Sequence, residues 1–117
     1  MQKVYFLSTC DTCKRIIKEI EIPSSFIMQD IKKDEITVKQ LEEMYGLSGS
    51  YEALFSKRAK LYKERNLKDE KLLEQDFKNL ILEHYTFLNR PVIINNEAIF
   101  IGNSKKTVEA AKNSIKN

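Results

Sequence analysis

Apolar positions along the chain fall into short runs at both ends and a helical rhythm in between. Residues 3–7 form a β-rich apolar run that closes on the polar pair Ser8-Thr9. Beyond it Cys13, Ile16, Ile17 and Ile20 recur at helical spacing, so the segment reads as strand, loop and helix. Cys10 then falls at or just before the helix N-terminus, with Cys13 one turn inside. Pro23 and Ser24-Ser25 break the helix, and residues 26–31 supply a second short strand that completes a βαβ unit.

After Asp34 the rhythm is helical. Thr37 and Gln40 make a capping box for a short amphipathic helix with Val38, Leu41, Met44 and Tyr45, expected to stop at Gly46. Gly49-Ser50 starts another helix, with Ala53, Leu54 and Phe55. Residues 56–69 carry the densest basic segment. Residues 72–88 are expected to form the longest helix, with His84 on its apolar face and Pro91 forbidding continuation.

The C-terminal stretch returns to strands. Val92-Ile93-Ile94 and residues 98–101 flank Asn95-Asn96-Glu97 as a hairpin, and Gly102-Asn103-Ser104 caps a final helix with Val108, Ala111 and Ile115 on one face. The order is β-α-β, a helical block, then β-β-α, with no internal repeat and no low-complexity segment. Such an order predicts an α/β fold.

Composition narrows what this fold can do. The 117 residues are 42% hydrophobic and 32% charged, enough apolar side chain for one core and no more than about one domain. Twenty basic and seventeen acidic residues are intermixed, giving a net charge of +3 without a basic arm or clustered aromatic readers, so direct nucleic-acid binding is not expected. The N-terminal apolar run is too short for a signal-peptide core or a membrane span, and a soluble, cytoplasmic protein is expected. Cys10, Cys13 and His84 are the only cysteines and histidine, too few for a disulfide scaffold or a tetrahedral N/S zinc site. No bound cofactor and no metal are expected.

The remaining chemistry is concentrated in Cys10-x-x-Cys13. A thiol at a helix N-terminus faces unsatisfied amides and the positive end of the helix dipole, both of which favour the thiolate. In such motifs the pKa falls from about 8.5 to roughly 3.5–7.5, which makes Cys10 the candidate nucleophile and Cys13 the resolving thiol. The competing reading is that both cysteines are small buried hydrophobes. Their place after a strand in a βαβ unit favours redox chemistry. His84 reads as a satisfied, partly buried histidine, and Tyr45, Tyr51, Tyr62 and Tyr85 as packing residues.

Cys10-Asp11-Thr12-Cys13-Lys14, the helical block, Ser56-Lys57-Arg58-Ala59-Lys60 and Leu88-Asn89-Arg90-Pro91-Val92-Ile93 together resemble the ArsC/Spx family of glutaredoxin-coupled arsenate reductases and their relatives. The resemblance implies a thioredoxin/glutaredoxin-like fold with a mixed four-stranded sheet, as a single domain over residues 1–117 with a helical insertion at about 37–88. It implies a catalytic role for Cys10, a cis peptide bond before Pro91, and a substrate site drawn from Thr9, Thr12, Arg58, Arg90 and Pro91. It also marks departures. The arsenate reductases have an arginine where this chain has Ser56, another where it has Gly102, a histidine where it has Phe6, and usually a serine where it has Cys13.

Two functions follow from the resemblance. The first is a thiol-disulfide oxidoreductase of the arsenate reductase type, acting as a monomer on a small oxyanion or a glutathione mixed disulfide, with glutathione, glutaredoxin or thioredoxin as electron donor. The alternative is a redox-sensing regulator of the Spx type whose partner is RNA polymerase.

Overall fold

In the computed structural model, which describes residues 1–117, the first apolar run is β1 (Gln2–Phe6), followed by α1 (Asp11–Ile20) and β2 (Ile27–Asp30). β2 is one residue shorter at each end than the apolar run suggests. Phe26 is drawn into a turn by a 3.1 Å bond from its N–H to the Pro23 carbonyl. The C-terminal stretch forms β3 (Val92–Asn95), β4 (Ala98–Ile101) and α6 (Lys105–Lys116), the longest helix. Asn96 takes a φ of 59° in the two-residue loop between β3 and β4, a conformation that asparagine tolerates.

The four strands form one sheet in the order β2-β1-β3-β4, with β1 parallel to β2 and the other pairs antiparallel. Register decides which side chains meet. Val4 pairs with Ile93, so both point to the face on which Ile16 and Ile20 of α1, Val108 and Ala111 of α6, and Phe26 complete a core. Tyr5 pairs with Val92, and these two with Ile94 are buried on the opposite face. The N-terminus of α6 is capped by the Ser104 hydroxyl, which accepts from the Thr107 amide at 3.1 Å.

The chain divides into two compact units: one of residues 1–35 with 90–117, just described, and one of residues 36–89. The second contains α2 (Val38–Ser48), α3 (Tyr51–Leu54), α4 (Lys60–Glu64) and α5 (Glu74–Glu83), with 3-10 turns at Leu67–Asp69 and Tyr85–Phe87. Phe55 is central to it, with the Phe77 ring at 4.9 Å, Phe87 stacked at 5.3 Å and Tyr62 edge-on at 5.7 Å. The Glu74 carboxylate accepts from the Tyr51 and Glu52 amides at 2.8 and 3.0 Å, holding the start of α3 on the start of α5. Tyr45 stacks on Tyr51 at 4.4 Å, as packing residues do.

Two helix ends differ from expectation. α2 has its Thr37–Gln40 capping box but runs through Gly46 to Ser48 and ends at Gly49, whose φ of 74° is the left-handed cap. The expected 72–88 helix is α5 alone, ten residues long. Asp76 accepts from the Leu73 amide at 2.7 Å and fixes the start. His84 is extended at φ −151° and its Nδ1 accepts from the Thr86 amide at 3.0 Å, which turns the chain into the 3-10 turn. His84 is thus a satisfied, half-buried histidine, as the sequence suggests.

Gly46 within α2 and Gly49 at its C-cap should respond oppositely to alanine. Gly46 is exposed in a helix interior with nothing within 4 Å of an added Cβ, so Gly46→Ala should stabilise by about 0.5–1 kcal/mol in urea unfolding. Gly49→Ala, forced to keep a positive φ, should destabilise by about 1 kcal/mol.

Candidate active site

Four residues, 7–10, connect β1 to α1, and their backbone closes into a turn by a 3.0 Å bond from the Cys10 amide to the Leu7 carbonyl. The turn makes Cys10 the N-cap of α1, extended at φ −99° and ψ 110°, with its carbonyl accepting from the Lys14 amide at 3.2 Å. Serine or aspartate at an N-cap satisfies the orphan amides with oxygen. The Cys10 thiol makes no capping hydrogen bond, so the Thr12 and Cys13 amides remain as donors for its ionised form.

The acidities of the two thiols diverge for physical reasons. Burial opposes ionisation of Cys10, but the amide and thiol of Cys13, the Arg90 charge and the Thr12 amide outweigh it and hold Cys10 below the ordinary thiol range. Cys13 is fully buried on the inner face of α1. Burial, with the thiolate of Cys10 beside it, pushes Cys13 up to about 11 against the pull of the Leu7 backbone and Arg90. Each thiol is a cause of the other's shift, so the two ionisations are coupled and drawn apart. Both are free thiols here.

Arg90 enters from the far end of the sequence. It is half-buried, its peptide bond to Pro91 is cis, and its charge acts on both sulfurs. The Pro91 carbonyl accepts from Gly102 at 2.9 Å, and Gly102 stands at φ 91°. That backbone conformation suits glycine, at a position where the family resemblance implies an arginine in the arsenate reductases. Phe6 packs against the core.

The expected site residues therefore divide. Cys10, Cys13, Arg90 and Pro91 are brought together in one unit, and the Thr12 amide serves the same sulfur. Thr9 is exposed in the turn. Arg58 belongs to the other unit, exposed in the turn before α4, and Ser56 there donates its amide to the Phe87 carbonyl at 2.8 Å. Sequence reasoning missed Asp30, the last residue of β2, whose Oδ1 accepts from the Ser8 amide at 3.3 Å. The one signal for it was a carboxylate at the end of an apolar strand.

A mixed four-stranded sheet with β-α-β and β-β-α halves, carrying Cys-x-x-Cys at the first helix N-terminus and a cis-proline before the third strand, defines a thioredoxin/glutaredoxin-like α/β protein. A model of the ArsC family matches residues 5–111, and the chain belongs to that family. Among curated proteins it is 26% identical to the global transcriptional regulator Spx of Bacillus subtilis over 106 residues, covering 87% of this chain and 79% of that protein. It is 27% identical to global transcriptional regulator Spx 2 of Bacillus anthracis over 107 residues, with the same coverage. Among solved structures, the arsenate reductase from Vibrio cholerae superposes with a TM-score of 0.75 at 21% identity, covering 94% of this chain and 98% of that one.

Removing the Arg90 charge takes away a cause of Cys10's acidity, so Arg90→Ala should move the alkylation midpoint of Cys10 to higher pH. A one-unit move slows iodoacetamide reaction about tenfold at pH values below the midpoint. The alkaline plateau, where Cys10 is fully ionised in both proteins, should be unchanged.

Proposed function

We propose that this protein is a dithiol redox protein in which Cys10 is the nucleophile and Cys13 resolves, reducing disulfides or glutathione mixed disulfides. The observation that carries the reading is the placement of two free thiols one turn apart, Cys10 at the open N-cap of α1 and Cys13 buried behind it, a placement that lowers the pKa of the first and pushes the second up to about 11. The Cys10 thiolate attacks one sulfur of the substrate disulfide; a new S–S bond forms, the old one breaks, and the leaving sulfur departs as a thiolate that takes up a proton. Consuming the Cys10 charge removes one of the causes that held Cys13 protonated. Cys13 then loses its proton and attacks Cys10, releasing the second substrate thiol and leaving a Cys10–Cys13 disulfide. The protein has given up two electrons, and an external thiol of the glutathione, glutaredoxin or thioredoxin class restores them, as expected in a cytoplasmic setting.

Arg90 is positioned to pair with an anionic substrate group near Cys10, a carboxylate of a glutathione adduct or a small oxyanion. Arsenate is the less favoured substrate, because Ser56, Gly102 and Phe6 stand where the arsenate reductases have arginine, arginine and histidine.

The curated relatives, named as global transcriptional regulators, favour a second reading: the Spx-type regulator that the family resemblance implies, in which the same disulfide is a redox switch and RNA polymerase the partner. Capture of polymerase subunits by the oxidised and reduced protein, run beside turnover of glutathione mixed disulfides and of arsenate, separates the two. Turnover without capture supports the enzyme. Capture without turnover replaces it with the regulator.

Within the enzyme reading, Cys10→Ser should abolish reduction of a glutathione mixed disulfide. Cys13→Ser should accumulate protein carrying glutathione on Cys10, detected by intact-protein mass spectrometry. Full activity in Cys10→Ser would exclude the mechanism.

A further inference from the structure

We infer that Asp30 is a positioning residue for Cys10, tying the end of β2 to the turn that presents the sulfur to the first amides of α1. The inference rests on the reading of Cys10 as the attacking thiolate and adds the group that sets its geometry. Asp30 pairs with Phe6 at the last rung of the β1–β2 ladder. Its Oδ1 accepts from the Ser8 amide at 3.3 Å and from the Lys32 amide at 3.2 Å, and its Oδ2 is shielded from solvent.

The Ser8 amide belongs to the same peptide plane as the Leu7 carbonyl, and that carbonyl accepts the Cys10 amide at 3.0 Å. One rigid peptide is therefore held at both ends, by Asp30 on its N–H and by Cys10 on its C=O. Rotation of this plane would move the Cys10 backbone and with it the sulfur. The hydrogen bond that Asp30 accepts opposes that rotation, and polarisation along the chain of bonds strengthens the one donated by Cys10. The Ser8 hydroxyl also lies beside the carboxyl and, with the Ser8 and Lys32 amides and the Lys33 charge, keeps it ionised.

Positioning and simple electrostatics predict opposite outcomes. The groups acting on Cys10 are Arg90, Cys13 and the α1 amides, while Asp11 and Lys14 pair with each other at 3.7 Å on the exposed side of α1. Removing the Asp30 carboxylate would by charge alone leave Cys10 as acidic as before or make it more so. Loss of positioning makes it less acidic.

The test is the pH dependence of Cys10 alkylation by iodoacetamide in the full chain, for wild type, Asp30→Ala, Asp30→Asn and Asp30→Glu. Asp30→Ala should react about three- to tenfold more slowly than wild type at neutral pH, with an unchanged alkaline plateau. Asp30→Asn keeps an acceptor oxygen in place and should stay within about twofold of wild type. Asp30→Glu keeps the charge but moves the acceptor by a methylene, so it should be slowed like alanine; it also serves if the alanine variant fails to fold. A variant set in which Asp30→Glu matches wild type, or in which alanine reacts equally fast or faster at neutral pH, overturns the proposal. Wild-type Cys10 titrating as an ordinary thiol overturns the parent reading, and this one with it, whatever the variants do.

Discussion

The four-residue connection between β1 and α1 is the constraint on which the site depends. A strand ending at Phe6 and a helix beginning at Asp11 leave room for a single turn, and that turn puts a cysteine where a helix normally carries an oxygen cap. Sulfur at this position inherits the unsatisfied amides without neutralising them as a neutral thiol. The arrangement is therefore worth more to the thiolate than to the thiol, which is the physical content of a lowered pKa.

Packing supplies the second half of the asymmetry. α1 lies on the sheet through Ile16 and Ile20, so the residue one turn from the N-cap on that face must be buried. Cys13 occupies it. Burial keeps the second sulfur protonated, and in the proposed reaction the order of the two steps follows from where the helix rests on Val4 and Ile93. Arg90 acts on both sulfurs from just before β3, the strand whose register with β1 is fixed by the same core.

Much of this architecture can be read from local sequence. The Thr37–Gln40 box, the hairpin with Asn96 at positive φ and the Ser104 cap are short-range chemistry, and each stands where its residues suggest. The sequence misleads where a local signal has two candidates. Gly46 resembles a helix stop, but only Gly49 adopts the left-handed cap, and an exposed glycine in a helix is tolerated. The apolar rhythm of residues 72–88 continues through a break made by His84, because 3-10 turns preserve much of the same facing. In the site, Cys10 and Cys13 declare themselves by spacing and Arg90 by its proline. Asp30 does not, since its partner Ser8 lies 22 positions away and only the parallel ladder joins them. Arg58 rests on the family resemblance alone, and it is carried by the unit of residues 36–89.

The most direct test is an ultraviolet titration of thiolate absorbance in the reduced wild-type protein, with Cys13→Ser to assign the steps. Two separated steps are expected, the first below the ordinary thiol range and assigned to Cys10, the second at about 11 and missing from the variant. A single step in which both thiols ionise together at the value of a free cysteine would contradict the account.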